Sequence, residues 1–222
     1  MSTLKRKQKE KERRRNLIID VAQTLFFSRP YDEITIDAIA KKAQLAKGTV
    51  YLYFKSKDSL HAAVALRGTR IQNRMFEEAV SKKKNGLEKA FATGEAYYEF
   101  YKRHPEYFRM AREAENMSTV DRSDVNVAEF LNASHKNFET LYNAVVEGIK
   151  DGSIESDIDP TLTSVFLIQS TKSIIELPPG FEMFLKEGTG ADKDATMRFT
   201  LQMLRRSLQQ RNQPEKTGAR EE

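Results

Sequence analysis

The run Thr35-Ile36-Asp37-Ala38-Ile39-Ala40-Lys41-Lys42-Ala43-Gln44-Leu45-Ala46-Lys47-Gly48-Thr49-Val50-Tyr51-Leu52-Tyr53-Phe54 decides the architecture of this 222-residue chain. Its opening, Glu33-Ile34-Thr35-Ile36-Asp37, alternates like a strand. Thr35 is nevertheless a good N-cap, and Ile36, Ile39 and Ala40 continue at helical spacing, so a short helix ending near Ala43 is predicted. Gln44-Leu45 make a tight turn, and a third short helix runs through Lys47 to Tyr53. Two short helices joined by so brief a turn are a helix-turn-helix unit.

The flanks brace it. Upstream, Ile18, Val21, Ala22, Leu25 and Phe26 recur at i, i+3, i+4, i+7 and i+8, one apolar stripe on a first helix. Arg29-Pro30 ends that helix, because proline biases the preceding residue away from the α region. Downstream, Ser56 caps a long fourth helix with the stripe Leu60, Ala63, Val64, Arg67 and Ile71.

The remainder also reads as helix. Leu87 to Tyr101 form a fifth, and Pro105 opens a sixth. Val127 to Ile149 form a seventh ended by Gly152, and Leu162 to Ser173 an eighth stopped by Pro178-Pro179-Gly180. Met197 to Leu208 form a ninth. The expected fold is all-α, about nine helices, with no internal repeat.

Charge is distributed unevenly. Residues 1–60 hold 14 Lys and Arg against 7 Asp and Glu, whereas the remaining 162 residues hold 23 against 25, for a net +5 overall. Lys5, Arg6, Lys7, Lys9, Lys11, Arg13, Arg14 and Arg15 face only Glu10 and Glu12. Alone, such a run reads either as a solvated tail or as an arm that neutralises the phosphates of a polyanion.

Other classes of function fall away. The chain has no cysteine, which excludes disulfides, thiolate metal sites and a cysteine nucleophile. His61, His104 and His135 show no metal-ligand spacing, and neither a glycine-rich phosphate loop nor a Ser-His-Asp order is present. No enzyme activity, cofactor or metal is expected. With no apolar run of membrane-spanning length and no apolar N-terminal leader, a cytoplasmic protein with no membrane partner is expected.

Ile19 to Leu60 resembles the N-terminal DNA-binding domain of TetR-family transcriptional regulators. The resemblance rests on Ala22 with Leu25-Phe26, on Thr35, Ile39-Ala40 and Ala43, and on Lys47 to Phe54 followed by Lys57 and Leu60. It implies a DNA-binding regulator, most simply a homodimeric repressor on a palindromic operator. The implied organisation is an N-terminal three-helix helix-turn-helix domain with its basic arm over residues 1–60. A C-terminal helical bundle for effector binding and dimerisation follows over 61–211, and a polar tail over 212–222.

The residues suit those roles. Lys47 can reach a guanine edge or a phosphate, Gly48 permits close backbone approach, and Thr49 offers a methyl to thymine. Tyr51 and Tyr53 carry hydroxyls suited to phosphate oxygens, although amphipathic packing would also account for them. Thr35 and Lys57 stand at helix N-termini, which favour anions. Three departures from the family pattern affect the rigidity of the third helix. Gln44 replaces a glycine, at a cost of roughly 1 kcal/mol if its φ is positive. Ala46 replaces a capping serine, worth about 0.5–2 kcal/mol. Arg29-Pro30 replaces a glycine-containing corner.

Seven of the 21 Phe and Tyr residues lie between Phe91 and Phe108, more than one buried stripe requires. The resemblance implies an effector pocket in this region, for which Tyr97, Tyr101, His104, Phe108, Phe138, Tyr142 and Gln169 are the candidate lining. His104 also suits a helix cap. A small apolar or aromatic effector is expected; the alternative is a constitutive DNA-binding or nucleoid protein with no effector.

Overall fold

In a computed structural model of the chain, residues 3–116 and 121–209 are described. They form ten α-helices: α1 (Thr3–Ser28), α2 (Ile36–Lys42), α3 (Lys47–Tyr51), α4 (Lys57–Ser81), α5 (Gly86–Arg103), α6 (Pro105–Asn116), α7 (Val125–Asp151), α8 (Pro160–Ile175), α9 (Pro179–Thr189) and α10 (Lys193–Leu208). A 3-10 turn at Tyr31–Glu33 joins α1 to α2. Apart from one isolated bridge between Ile154 and Gln209, the described residues form no β-structure. The fold is all-α, as the periodicity predicts. The polar tail at 212–222 lies outside the described residues.

Local signals explain most boundaries. The Thr35 hydroxyl oxygen accepts from Ala38 N–H at 3.1 Å, which makes Thr35 the cap of α2 and removes the strand alternative. Ser56 caps α4 through Ser59 N–H at 3.0 Å, and Asp159 caps α8 through Leu162 N–H at 2.8 Å. Gln44 adopts φ 56°, the left-handed value for which glycine is the cheaper residue, and Ala46 leaves α3 without a side-chain cap.

Two readings need correction. The basic run is no separate arm: α1 begins at Thr3 and carries it as its first half. Pro178-Pro179-Gly180 does more than stop α8. Pro179 is the first residue of α9, a position where the missing N–H is harmless and the fixed φ is pre-set for helix.

The chain packs as two units, one of residues 1–74 and 100–137 and the other of 75–99 and 138–222. This division differs from the boundary expected at residue 60, because α6 and the start of α7 complete the core of the first unit. There, Ile18, Ala22 and Phe26 of α1 meet Ile39 of α2, Val50 of α3, Leu60 and Val64 of α4, Met110 of α6, and Val127 and Phe130 of α7. In the second unit, Leu87 and Phe91 of α5 pack with Leu141 and Val145 of α7, Ile154, Leu167 of α8, and Leu204 and Leu208 of α10. Gly86 allows the start of α5 to touch α7, since a Cβ there would stand 1.9 Å from Gly148 N.

Candidate DNA-reading surface

Helix α3 has one inward and one outward side. Val50 and, just beyond the helix, Phe54 are fully buried, and they fix the orientation of a five-residue helix too short to persist alone. Lys47, Gly48 and Tyr51 are exposed, whereas Thr49 and Tyr53 are half-buried and Tyr53 packs against the core. Nothing lies within 4 Å of a Cβ built on Gly48, and its φ is not positive, so the protein's own packing does not require glycine there.

Lys47 Nζ donates to Asp37 Oδ2 at 2.6 Å, and this hydrogen bond is the largest cause of its raised pKa. Asp37 was not foreseen as a site residue. The signal was present, since it lies in the first turn of the helix that precedes α3. Thr35 is exposed, and while its oxygen caps α2 its hydroxyl proton is left to donate. Lys57 is turned inward. Its ammonium donates to Tyr31 O at 3.0 Å and lies 3.8 Å from the Tyr31 ring centre. Tyr31 in turn donates its hydroxyl to Asp58. Burial and that hydrogen bond to a carboxylate both push the phenol's pKa upward. Lys57 must therefore break or share these contacts to reach a phosphate.

Arg15, counted with the basic run, is also drawn in. It donates to Asn126 Oδ1 at 2.5 Å and lies 5.4 Å from the Phe54 ring centre. Asn126 donates to Ser59 Oγ at 2.9 Å, and Ser59 donates to Asp124 Oδ1 at 2.9 Å. This network clamps α1, the start of α4 and the start of α7 within the first unit.

The candidate effector residues divide between the units. In the first, Tyr101 and Phe108 meet edge to face at 5.2 Å, and the His104 ring lies 5.6 Å from Phe100. In the second, Tyr97 meets Phe76 at 6.5 Å and Phe138 stacks on Tyr142 at 6.2 Å. Gln169 is exposed on α8 in line with Leu162, Val165 and Phe166, so its neighbours are those of an outer helix face. Among the described residues no three His, Asp or Glu side chains gather to hold a metal ion, and no helix is long and apolar enough to cross a membrane.

A short helix that presents Lys47 and an open Gly48 outward, set on a buried helix-turn-helix core, has the arrangement of a DNA-binding head. Residues 18–64 match the sequence profile described as "Bacterial regulatory proteins, tetR family". The chain is 31% identical to the HTH-type transcriptional repressor KstR2 of Rhodococcus jostii (strain RHA1) over 163 residues, 71% of this chain and 76% of that one. Its fold is similar to that of FadR from Bacillus subtilis, solved with stearoyl-CoA: TM-score 0.63, 20% identity, 85% of this chain and 96% of that one. It is equally similar to AibR, solved with isovaleryl coenzyme A and operator DNA: TM-score 0.63, 17% identity, 86% and 97% covered. The chain belongs to the TetR family of bacterial transcriptional regulators.

Proposed function

We propose that this protein is a homodimeric repressor that leaves a palindromic operator when it binds an acyl-coenzyme A thioester. The observation that carries the DNA half of this reading is the outward side of α3. Lys47 is exposed at its start, and Gly48 is left small although nothing in the protein occupies the space beside it. Lys47, Gly48 and Thr49 face base edges, while Thr35, Tyr51, Tyr53 and Lys57 hold phosphates. The domains follow the functional division: residues 1–60 read DNA, and 61–211 bind effector and pair the subunits. Pairing uses α8 and α10, whose Leu162, Val165, Phe166, Phe199 and Met203 are exposed.

The effector class draws on the relatives. FadR and AibR were solved in complex with thioesters of coenzyme A that differ only in the acyl group. An apolar acyl chain suits the aromatic pair Phe138 and Tyr142, which stack on each other within the second unit. Helix α4 begins at Lys57 in the first unit and runs on to Ser81 in the second, so it can carry a displacement to the head. An effector shifts the DNA-competent state only by its differential affinity, typically about 5–150-fold.

The test is calorimetric titration of isovaleryl-CoA and stearoyl-CoA into the protein, alone and bound to a duplex it selects from a random-sequence pool. Thioester affinity should fall on the duplex by the factor that the thioester costs duplex affinity. Equal affinities in both titrations overturn the switch. Absence of binding to any thioester leaves the constitutive DNA-binding protein.

A further inference from the structure

From Leu4 to Arg14 every side chain of α1 is exposed, and the apolar stripe of that helix starts only at Ile18. Residues 4–14 thus form a helical extension about 16 Å long with no core beneath it, at 1.5 Å rise per residue. Lys, Arg, Gln and Glu are good helix formers, and Arg14 pairs with Glu10 at 3.5 Å. Against this, Lys5 and Lys9, Lys7 and Lys11, Lys9 and Arg13, and Lys11 and Arg15 are like charges at i,i+4, which repel. A polyanion alongside would relieve that repulsion. A membrane surface fits poorly, because the extension has no apolar face.

The base of the extension is held. Arg15, clamped to Asn126 and lying over Phe54, sets the direction in which the preceding turns leave the head. The Arg15 guanidinium lies over Phe54, the residue that follows Tyr53 just beyond α3, so the base of the extension is tied to that turn. At 3.6 residues per turn Lys11 stands about 40° and Lys7 about 80° round the helix from Arg15 in one direction, forming one flank. Lys5, Lys9 and Arg13 lie about 80°, 120° and 160° round in the opposite direction and form the other flank.

We propose that the first half of α1 is a second DNA-contacting element, a rigid basic helix whose Lys7 and Lys11 face rests on the phosphates flanking the half-site that α3 reads. This rests on the DNA-binding reading above. The extension covers about five base-pair steps at 3.4 Å each. A flexible arm of equal charge would have no preferred side, whereas a clamped helix does.

The experiment uses the full chain and a duplex it selects from a random-sequence pool, once trimmed to the selected half-sites and once with ten further base pairs at each end. The wild type should bind the longer duplex about tenfold more tightly at low salt. Its log K against log salt should also be steeper there by about 3.6, for two extra phosphates per subunit of a dimer. Lys7→Gln/Lys11→Gln should abolish both gains, whereas Lys5→Gln/Lys9→Gln, with equal charge removed from the other side, should keep most of them. Equal wild-type affinity for the two duplexes overturns the proposal, and equal losses in the two variants show a flexible polyelectrolyte instead of a positioned face. Wild-type binding to phosphatidylglycerol vesicles, lost in Lys7→Gln/Lys11→Gln, with no gain from the longer duplex, assigns the helix to a membrane. If the trimmed duplex binds and the flanks add nothing, this inference alone fails; if no duplex binds, the reading of α3 fails first.

Discussion

In the unit built around the helix-turn-helix, the large apolar side chains exposed among the described residues are Leu4, Leu17, Tyr51, Leu52 and Val125, and apart from the neighbours Tyr51 and Leu52 they are well separated along the chain. In the other unit they are Val146, Leu162, Val165, Phe166, Phe181, Met183, Phe184, Phe199 and Met203, most of them on α8, α9 and α10. Helix α9 buries none of its side chains. The first unit satisfies its apolar residues internally and leaves cations and an open glycine facing out. The second closes a smaller core and leaves apolar faces uncovered. Single exposed apolar residues are ordinary, but contiguous ones mark surfaces that associate. One unit therefore has chemistry for phosphate, and the other for a second apolar surface.

The largest expected effect comes from charging the second surface. Phe166→Asp with Phe199→Asp should give a monomer by sedimentation. Operator affinity should fall by about 10²-fold or more, because two linked heads gain avidity that one lacks. A wild-type monomer, or a dimer that survives both substitutions, would break the contrast between the units, since the exposed α8 and α10 residues would then serve something else.

A smaller effect separates stability from function within the head. Gly48→Ala should raise the melting temperature, as alanine is better than glycine in a helix by about 1 kcal/mol and its methyl meets nothing. The same methyl would stand between the α3 backbone and the base edges, and should weaken operator binding about tenfold by fluorescence anisotropy. Unchanged binding would mean that DNA does not approach Gly48 closely.

The smallest effect concerns the Asp37 partner of Lys47. The pair is exposed, so Asp37→Asn should leave the melting temperature unchanged. It removes an anion beside the DNA and frees Lys47, and should raise operator affinity about threefold at low salt, less as salt screens the effect. A loss of affinity would show that Asp37 positions Lys47 instead of competing for it.

Much of this molecule was legible residue by residue. Thr35 and Ser56 each cap a helix through a bond to a residue three positions on, and Pro105 opens a helix where a missing N–H costs nothing. The strain at Gln44 and the missing cap at Ala46 could be read the same way, because such signals act within a single turn. Helix α9 was misread for a local reason, since a proline that ends one helix can begin the next. What the sequence by itself determined was therefore every described helix except α9, together with the helix-turn-helix and the outward position of Lys47 and Gly48 on α3. Tertiary structure alone decided that Arg15 turns inward to Asn126, 111 residues away, and that Lys57 turns to Tyr31. It also decided that Gln169 stays outside and that α6 and the start of α7 close the core of the head. These outcomes depend on which distant side chains share a core, and no spacing along one helix encodes that.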